Sequence, residues 1–301
     1  MKILLLGKDG QVGWELQRAL APLGAVRACG RAEADLSDPE SLRVLVRSEA
    51  PDVIVNAAAY TAVDRAESDA LAAQTCNELA PGVLAEEAAA CGAWLVHYST
   101  DYVFDGTKDS AWVETDAANP LSVYGRTKYE GEQRIRASGA RHLILRTSWV
   151  FAARGGNFAK TMLRLAKERE TLNVVADQHG APTGAELLAD ATALALHRLA
   201  WLGKDADELS GTYHLAAAGS TTWHAYGRHV LAQAQAHGAI LKAGPEAVLP
   251  IASSAYPTSA LRPANSRLDC SKFCAQFGLA LPDWRHHVDR LIAELSAQGN
   301  P

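Results

Sequence analysis

The apolar run Lys2-Ile3-Leu4-Leu5-Leu6 leads straight into Gly7-Lys8-Asp9-Gly10-Gln11-Val12-Gly13. An apolar pentapeptide followed at once by three spaced glycines predicts a strand, a tight turn and a helix in immediate succession. Glycines so placed permit the turn, let backbone N–H groups approach a pyrophosphate, and let the helix pack closely on the strand. The spacing is G-x-x-G-x-x-G rather than G-x-G-x-x-G, so its position on a strand–turn–helix carries the reading. The rest of the first half repeats the pattern. Residues 25–29, 52–56, 94–99 and 142–147 read as further strands, with helical patterns at 11–23, 39–50, 69–91 and 120–138 between them. The strand runs are apolar on both faces, as in a parallel sheet covered by helices. The expected fold class is α/β, a Rossmann-type doubly wound parallel sheet with ligands at the carboxyl ends of its strands.

Beyond about residue 150 the alternation loosens. A helix is expected near 157–170, a strand at 172–176, a helix near 185–200, a strand near 212–216 and a final amphipathic helix near 283–297. Pro245, Pro250, Pro257 and Pro263 mark loops. The expected division is a Rossmann domain of 1–150, with parts of about 172–216 returning to it. About 151–171 and 217–301 then form a smaller C-terminal α/β lobe for substrate.

Bulk properties exclude several classes. A net charge of −5 lacks the basic footprint of a nucleic-acid partner. No apolar stretch reaches the roughly 18 residues of a membrane span, and the N-terminal run is too short for a signal-peptide core. Cys29, Cys76, Cys91, Cys270 and Cys274 show no framework spacing, which fits reduced thiols in the cytoplasm. His286 and His287 are adjacent and so do not share a helix face, and carry no metal reading.

The second strand ends Ala28-Cys29-Gly30-Arg31, with no carboxylate until Glu33. An acidic residue there would suit a ribose 2′-hydroxyl, whereas Arg31 suits a 2′-phosphate, favouring NADPH over NADH. Asp35 and Leu36 are placed along the adenine. The small residues Ala57, Ala58 and Ala59 let ribose and pyrophosphate lie against the backbone, and close strand–helix packing accounts for them equally.

Thr100 ends the fourth strand, while Tyr124 and Lys128 lie four residues apart on the next helix, opened by Asn119 and Pro120 as N-cap and first turn. Residues i and i+4 share a face. A cation beside a phenol lowers a pKa otherwise about 10, suiting the pair for proton exchange with a carbonyl oxygen.

These residues resemble the Ser/Thr, Tyr, Lys triad of the extended short-chain dehydrogenase/reductase superfamily. The runs 7–16, 56–64, 99–106, 124–132, 146–150, 177–183 and 262–269 are similar, in order, to the dTDP-4-dehydrorhamnose reductase family. The resemblance implies NADPH- or NADH-dependent reduction of the C4 carbonyl of dTDP-4-dehydro-β-L-rhamnose. Tyr124 would supply the proton, Lys128 would lower its pKa and bind the nicotinamide ribose, and Thr100 would hydrogen-bond the carbonyl. It implies a cofactor surface of Gly7, Gly10, Gln11, Val12, Gly13, Arg31, Asp35, Leu36, Ala57, Ala58, Ala59, Tyr60 and Thr61, with Thr61 beside the nicotinamide. It sets Asp101 and Trp149 against the substrate and Arg262 near its pyrophosphate; Trp149 also reads as a core aromatic, and Asn265 and Ser266 as turn residues supporting Arg262. It further implies a structural Mg2+ held by Glu15, Glu186 and Glu294 in a symmetric homodimer. Two alternatives stay open: a nucleotide-sugar epimerase or dehydratase on the same scaffold, and a non-catalytic relative resembling the regulatory subunit of methionine adenosyltransferase.

Overall fold

A computed structural model describes residues 1–297. Strands β1 (Lys2–Leu6), β2 (Ala25–Cys29), β3 (Val53–Asn56), β4 (Trp94–Thr100) and β5 (His142–Thr147) alternate with helices in the first half. These helices are α1 (Gln11–Leu20), α2 (Pro39–Glu49), α3 (Val63–Ala66), α4 (Ala70–Gln74), α5 (Ala80–Cys91) and α6 (Val123–Ala137). The second half adds β6 (Val150–Phe151), α7 (Phe158–Glu168), β7 (Leu172–Val175), β8 (His179–Gly180), β9 (Thr183–Gly184), α8 (Ala185–Leu202) and β10 (Gly211–His214). It closes with β11 (Thr221–Thr222), α9 (Trp223–Ala236), β12 (Val248–Ile251), α10 (Ser271–Phe277) and α11 (Trp284–Ala297).

The main sheet has the order β10-β5-β4-β3-β1-β2, with every neighbour parallel. Chain direction across the sheet reverses at β1, which has β2 on one side and β3 on the other. The crevice at that switch point opens beyond Leu6 and Asn56. Period-2 alternation sorts the buried strand residues onto two faces. Ile3, Leu5, Val55, Val96 and Leu145 pack with α1 and α8. Leu4, Leu6, Ile54, Leu95 and Ile144 pack with α2 and α5. Burial on both faces explains why the strands read as unbroken apolar runs.

A separate core gathers residues of α7, α9 and α11, including Met162, Tyr226, Trp284 and Leu291, around the parallel pair β7–β12. Strand β7 therefore lies with the second core, although the expected division returned parts of 172–216 to the sheet. Helix α10 lies with the first core through Phe273 and Phe277, although it falls within the stretch expected to form the lobe.

The helix expected from 120 starts instead at Val123. Ser122 is its N-cap, accepting from the Gly125 N–H at 3.1 Å. Asn119, expected as the cap, donates to Asp105 Oδ2 at 2.9 Å. The later start has a packing cause: a Cβ on Gly125 would lie 2.2 Å from the Tyr102 carbonyl oxygen, so the first turn is seated directly on the strand-end loop. The helix expected over 69–91 runs through a π-helical turn at Thr75–Leu79. Among the described residues, no helix is long and apolar enough to cross a membrane.

Candidate active site

The glycine loop closes on the switch point. Gly7 has φ +86°, and its N–H, like that of Lys8, donates to the Cys29 carbonyl. A Cβ on Gly7 would lie 2.8 Å from the Ala58 nitrogen, and one on Gly13 would lie 2.0 Å from the Gly7 carbonyl oxygen. Both glycines are thus required by the fold itself. Gly10 is less constrained, with its nearest neighbour at 3.4 Å. It caps α1 without a side-chain acceptor, so the first-turn N–H groups of Gln11, Val12 and Gly13 are offered as an anion site. The half-buried Ala57, Ala58 and Ala59 face the same crevice edge. These features fit a pyrophosphate of a dinucleotide.

At the end of β2, Glu33 accepts from the Gly30 N–H at 2.6 Å and from Lys8 Nζ at 2.7 Å. The exposed Arg31 reaches Asp35 at 3.3 Å. Leu36, expected along the adenine, turns its side chain into the core with Leu42, Val46 and Ile54, because burial of that apolar surface is favoured. The Tyr60 backbone is clamped by Asn77, whose amide accepts from its N–H at 2.9 Å and donates to its carbonyl at 3.0 Å. The Tyr60 phenol turns to Asp69 at 3.1 Å, while its ring packs in one small cluster with Tyr124. Thr61 is exposed.

At the carboxyl end of β4, Thr100 donates to Asp101 Oδ1 at 3.1 Å and caps the following turn by accepting from the Tyr102 N–H. Asp101 Oδ2 is buried with no partner, and burial pushes its carboxyl up to about 6 against the hydrogen bonds of Ser266 and Thr100. Tyr124 lies edge-on to Tyr102, with ring centroids 5.6 Å apart. It keeps part of its surface open, yet crowding by protein pushes its phenol up to about 12; the Thr100 hydroxyl acts in the opposite direction. Arg262 donates to Asp64 Oδ2 at 2.8 Å and keeps its second terminal nitrogen buried and unpartnered.

The expectation that Lys128 lowers the Tyr124 pKa is not met. The lysine is wholly buried and directs its amine inward, to the Tyr98 carbonyl at 2.6 Å and His97 Nε2 at 3.1 Å. Burial holds its pKa down near 8, with Glu132 opposing. Desolvation therefore outweighs the cation–phenol attraction that the spacing suggests.

Trp149 has φ +49°, a conformation rarely taken by a bulky residue. Its indole stacks on Trp223 with centroids 3.7 Å apart, and it lies directly over Gly180, where a Cβ would be 2.5 Å from its ring. Asn265 does not support Arg262. It donates to the Lys108 and Ser110 carbonyls and accepts from Arg267, tying down the 108–112 loop. Sequence reasoning left Trp223, Asn77, Asp64 and His97 unassigned. Of these, only His97 carried a local signal, an imidazole inside an otherwise apolar run.

Glu15, Glu186 and Glu294 are drawn into one neighbourhood. Burial raises the Glu15 carboxyl first, and the charges of Glu186 and then Glu294 raise it further. Arg18 pairs with Glu15 at 3.6 Å and Arg290 with Glu186 at 3.0 Å. Among the described residues, no three His, Cys, Asp or Glu side chains are grouped closely enough to hold a metal ion.

The family model described as the RmlD substrate binding domain matches residues 1–297. The dTDP-4-dehydrorhamnose reductase of Shigella flexneri is 53% identical over 303 aligned positions, covering 98% of both chains. That of Burkholderia thailandensis is 50% identical, covering 99% of this chain and 100% of its own. Among solved structures, the reductase of Clostridium acetobutylicum superposes with a TM-score of 0.87 at 32% identity, covering 98% of this chain and 99% of its own. The Bacillus anthracis reductase in complex with NADP gives 0.86 at 31% identity, covering 98% of this chain and 100% of its own. The chain belongs to the dTDP-4-dehydrorhamnose reductase family.

Proposed function

We propose that this protein reduces the C4 carbonyl of dTDP-4-dehydro-β-L-rhamnose to the alcohol, giving dTDP-β-L-rhamnose, with NADPH as the preferred donor. The observation that carries the reading is the meeting of Thr100, Asp101 and Tyr124 at the carboxyl end of β4, in a chain about half identical over its length to reductases of that name.

A nicotinamide held in the crevice would supply hydride to C4. The rest of the chemistry falls to the chain's own side chains. Tyr124 delivers its phenolic proton to the oxygen as charge develops there. A phenol held near 12 is fully protonated at neutral pH, the state a donor needs. The Thr100 hydroxyl, which donates to Asp101 in the free site, turns its one proton to the substrate carbonyl to orient and polarise it. Lys128 contributes a buried positive charge and, beyond the N–H groups turned to Tyr98 and His97, a third donor toward the cofactor ribose. Arg262, held by Asp64 beside Tyr102, binds the sugar-nucleotide pyrophosphate. Trp149 forms a wall of the sugar site. The cofactor surface is the glycine loop, Ala57 to Thr61 and the end of β2. The exposed Arg31–Asp35 pair is weak enough to yield Arg31 to a 2′-phosphate.

Turnover on dTDP-4-dehydrorhamnose generated in situ, followed by NADPH and NADH oxidation in turn, tests the activity. Net cofactor consumption separates a reductase from an epimerase, and no oxidation of either cofactor refutes the proposal. Tyr124→Phe turning over as fast as the parent would remove the assigned proton donor. An unchanged NADPH:NADH preference in Arg31→Ala would remove the cofactor assignment.

A homodimer and a structural Mg2+ go together in this proposal. One chain's Glu15, Glu186 and Glu294 do not form a closed cage, since arginines hold two of them; the ion would be structural, because carbonyl reduction needs only a hydride donor and a proton donor. Sedimentation with Mg2+ and with chelator tests both, and a monomer in each would refute them. Cytoplasmic residence is proposed from the five unpaired cysteines.

A further inference from the structure

The mechanism above gives no task to His97, which is wholly buried in the middle of β4. Strand alternation turns it to the same face as Leu95, where α5 and α6 cover the sheet. Both ring nitrogens are engaged. Nε2 lies 3.1 Å from Lys128 Nζ, and Nδ1 lies 3.1 Å from Asn56 Nδ2. Asn56, also wholly buried, uses its Oδ1 to accept from the Ala58 N–H at 3.2 Å. One hydrogen-bonded chain thus runs from the α6 lysine, through the centre of β4, to the segment after β3 at the cofactor crevice. A leucine would fill this place without needing two buried polar partners, so packing alone does not account for the imidazole.

A neutral imidazole has one N–H and one bare nitrogen. When Lys128 is an ammonium it donates to Nε2, so Nδ1 must carry the ring proton and needs the Asn56 oxygen, a turn of the amide that releases the Ala58 N–H. When Lys128 is a neutral amine, Nε2–H donates to it and Nδ1 accepts from Asn56 Nδ2, which leaves Oδ1 for Ala58. The two arrangements differ by the ring tautomer and a half-turn of the Asn56 amide, an orientation assigned from hydrogen-bond geometry. The ring itself stays neutral, because burial and then the nearby lysine charge hold its pKa well below the ordinary histidine value.

We propose that His97 is a positioning residue for the reaction. It accepts a hydrogen bond from the Lys128 ammonium, and its tautomer switches together with the Asn56 amide when that lysine loses its proton. The part concerning reaction rests on the reductase reading above; the coupling of the two side chains does not. The other charged groups around the pair are few. Glu132, one turn further along α6, is held by Arg146 of β5 at 2.9 and 2.6 Å and by Arg136 at 2.6 Å. Tyr124 precedes Lys128 by one turn, and Asp101 lies beyond the end of β4.

The direct experiment uses the parent protein labelled with 15N-histidine and follows the His97 ring nitrogens from pH 6 to 10. His97→Gln provides the assignment by loss of its signals. The expected result is a change from the Nδ1–H to the Nε2–H tautomer with a midpoint near 8, the range to which burial brings Lys128, and its disappearance in Lys128→Met. A tautomer that stays constant, or that switches identically in Lys128→Met, overturns the proposal. Kinetics give an independent reading. His97→Leu removes the acceptor and should move the alkaline limb of kcat down by about one to two pH units, with little change in KM for the nucleotide sugar. His97→Gln, which offers an oxygen, should restore most of that shift. An unmoved limb in both variants, with only a lower Tm, identifies a structural histidine and refutes the role. If His97→Leu does not fold, the labelled parent still decides. A parent without reductase activity would sink the function while leaving the tautomer measurement intact.

Discussion

Gly180→Ala isolates the proposed role of Trp149 with one added methyl. Gly180 lies outside the left-handed region, so its backbone accepts alanine and the effect is steric. The new Cβ would meet Trp149 at 2.5, 2.8 and 2.9 Å, about 0.9 Å short of the 3.4 Å at which ordinary contact begins. The indole's retreat is restricted. It is stacked on Trp223 at 3.7 Å, and Trp223 is held by a 3.1 Å hydrogen bond to Gln178 and by Phe158 at 4.8 Å. Trp149 is also already strained by φ +49°. Such overpacking costs about 1–3 kcal/mol, which corresponds to roughly 5- to 150-fold if paid in the substrate complex. Steady-state kinetics should show kcat/KM for the nucleotide sugar falling within that range, while the affinity for NADPH, bound at the glycine loop, stays within about twofold. If kcat/KM is unchanged and only the Tm drops, Trp149 is a core aromatic and its place against the sugar is wrong.

Three further outcomes are expected. Gly13→Ala places a methyl 2.0 Å from a carbonyl oxygen of the loop and should cost at least about a hundredfold in NADPH affinity by titration calorimetry; Gly10→Ala, with its nearest neighbour at 3.4 Å, should leave the Tm unchanged. Glu132→Ala strands the buried Arg146 and should destabilise by about 3–5 kcal/mol in urea unfolding, whereas the double change to leucines should recover most of it. Asp101 has a folded-state pKa raised to about 6, so its stabilising contribution is full below its unfolded pKa and is lost as pH rises through 6. Asp101→Asn should therefore remove about 2 kcal/mol of stability loss between pH 4 and 7, and parallel Tm–pH curves for the two proteins would contradict this.

The strands were legible because a parallel sheet buries both faces and leaves little choice of residue, as in the all-buried β3 and β4. The glycine loop was legible for a similar reason, since Gly7 and Gly13 answer to local backbone collisions. What the sequence hid depends on partners distant along the chain. Trp223 meets Trp149 from 74 positions away, and Arg262 meets Asp64 from 198. Periodicity carries no trace of either contact. The start of α6 was misplaced because Asn119-Pro120 and Ser122 are both good caps, and the choice between them is made by Tyr102 packing on Gly125. Its position after β2 points Leu36 toward a ligand, but its side chain has a core to join.

The spacing of Tyr124 and Lys128 set both groups on one helix face without saying where each functional group ends. The lysine bends inward to Tyr98 and His97, and so burial, rather than mutual attraction, governs both groups. Burial disfavours the charged form of each, which raises the phenol to about 12 and lowers the amine to about 8. On raising the pH the lysine therefore loses its proton well before the tyrosine does. The alkaline limb of kcat should belong to Lys128 and fall near pH 8, with Tyr124 still a competent donor. Lys128→Arg, whose guanidinium stays charged throughout, should lower kcat but abolish that limb. A parent limb above pH 10, or one that persists in Lys128→Arg, would return the titration to the phenol and restore the simple pairing that the four-residue spacing suggests.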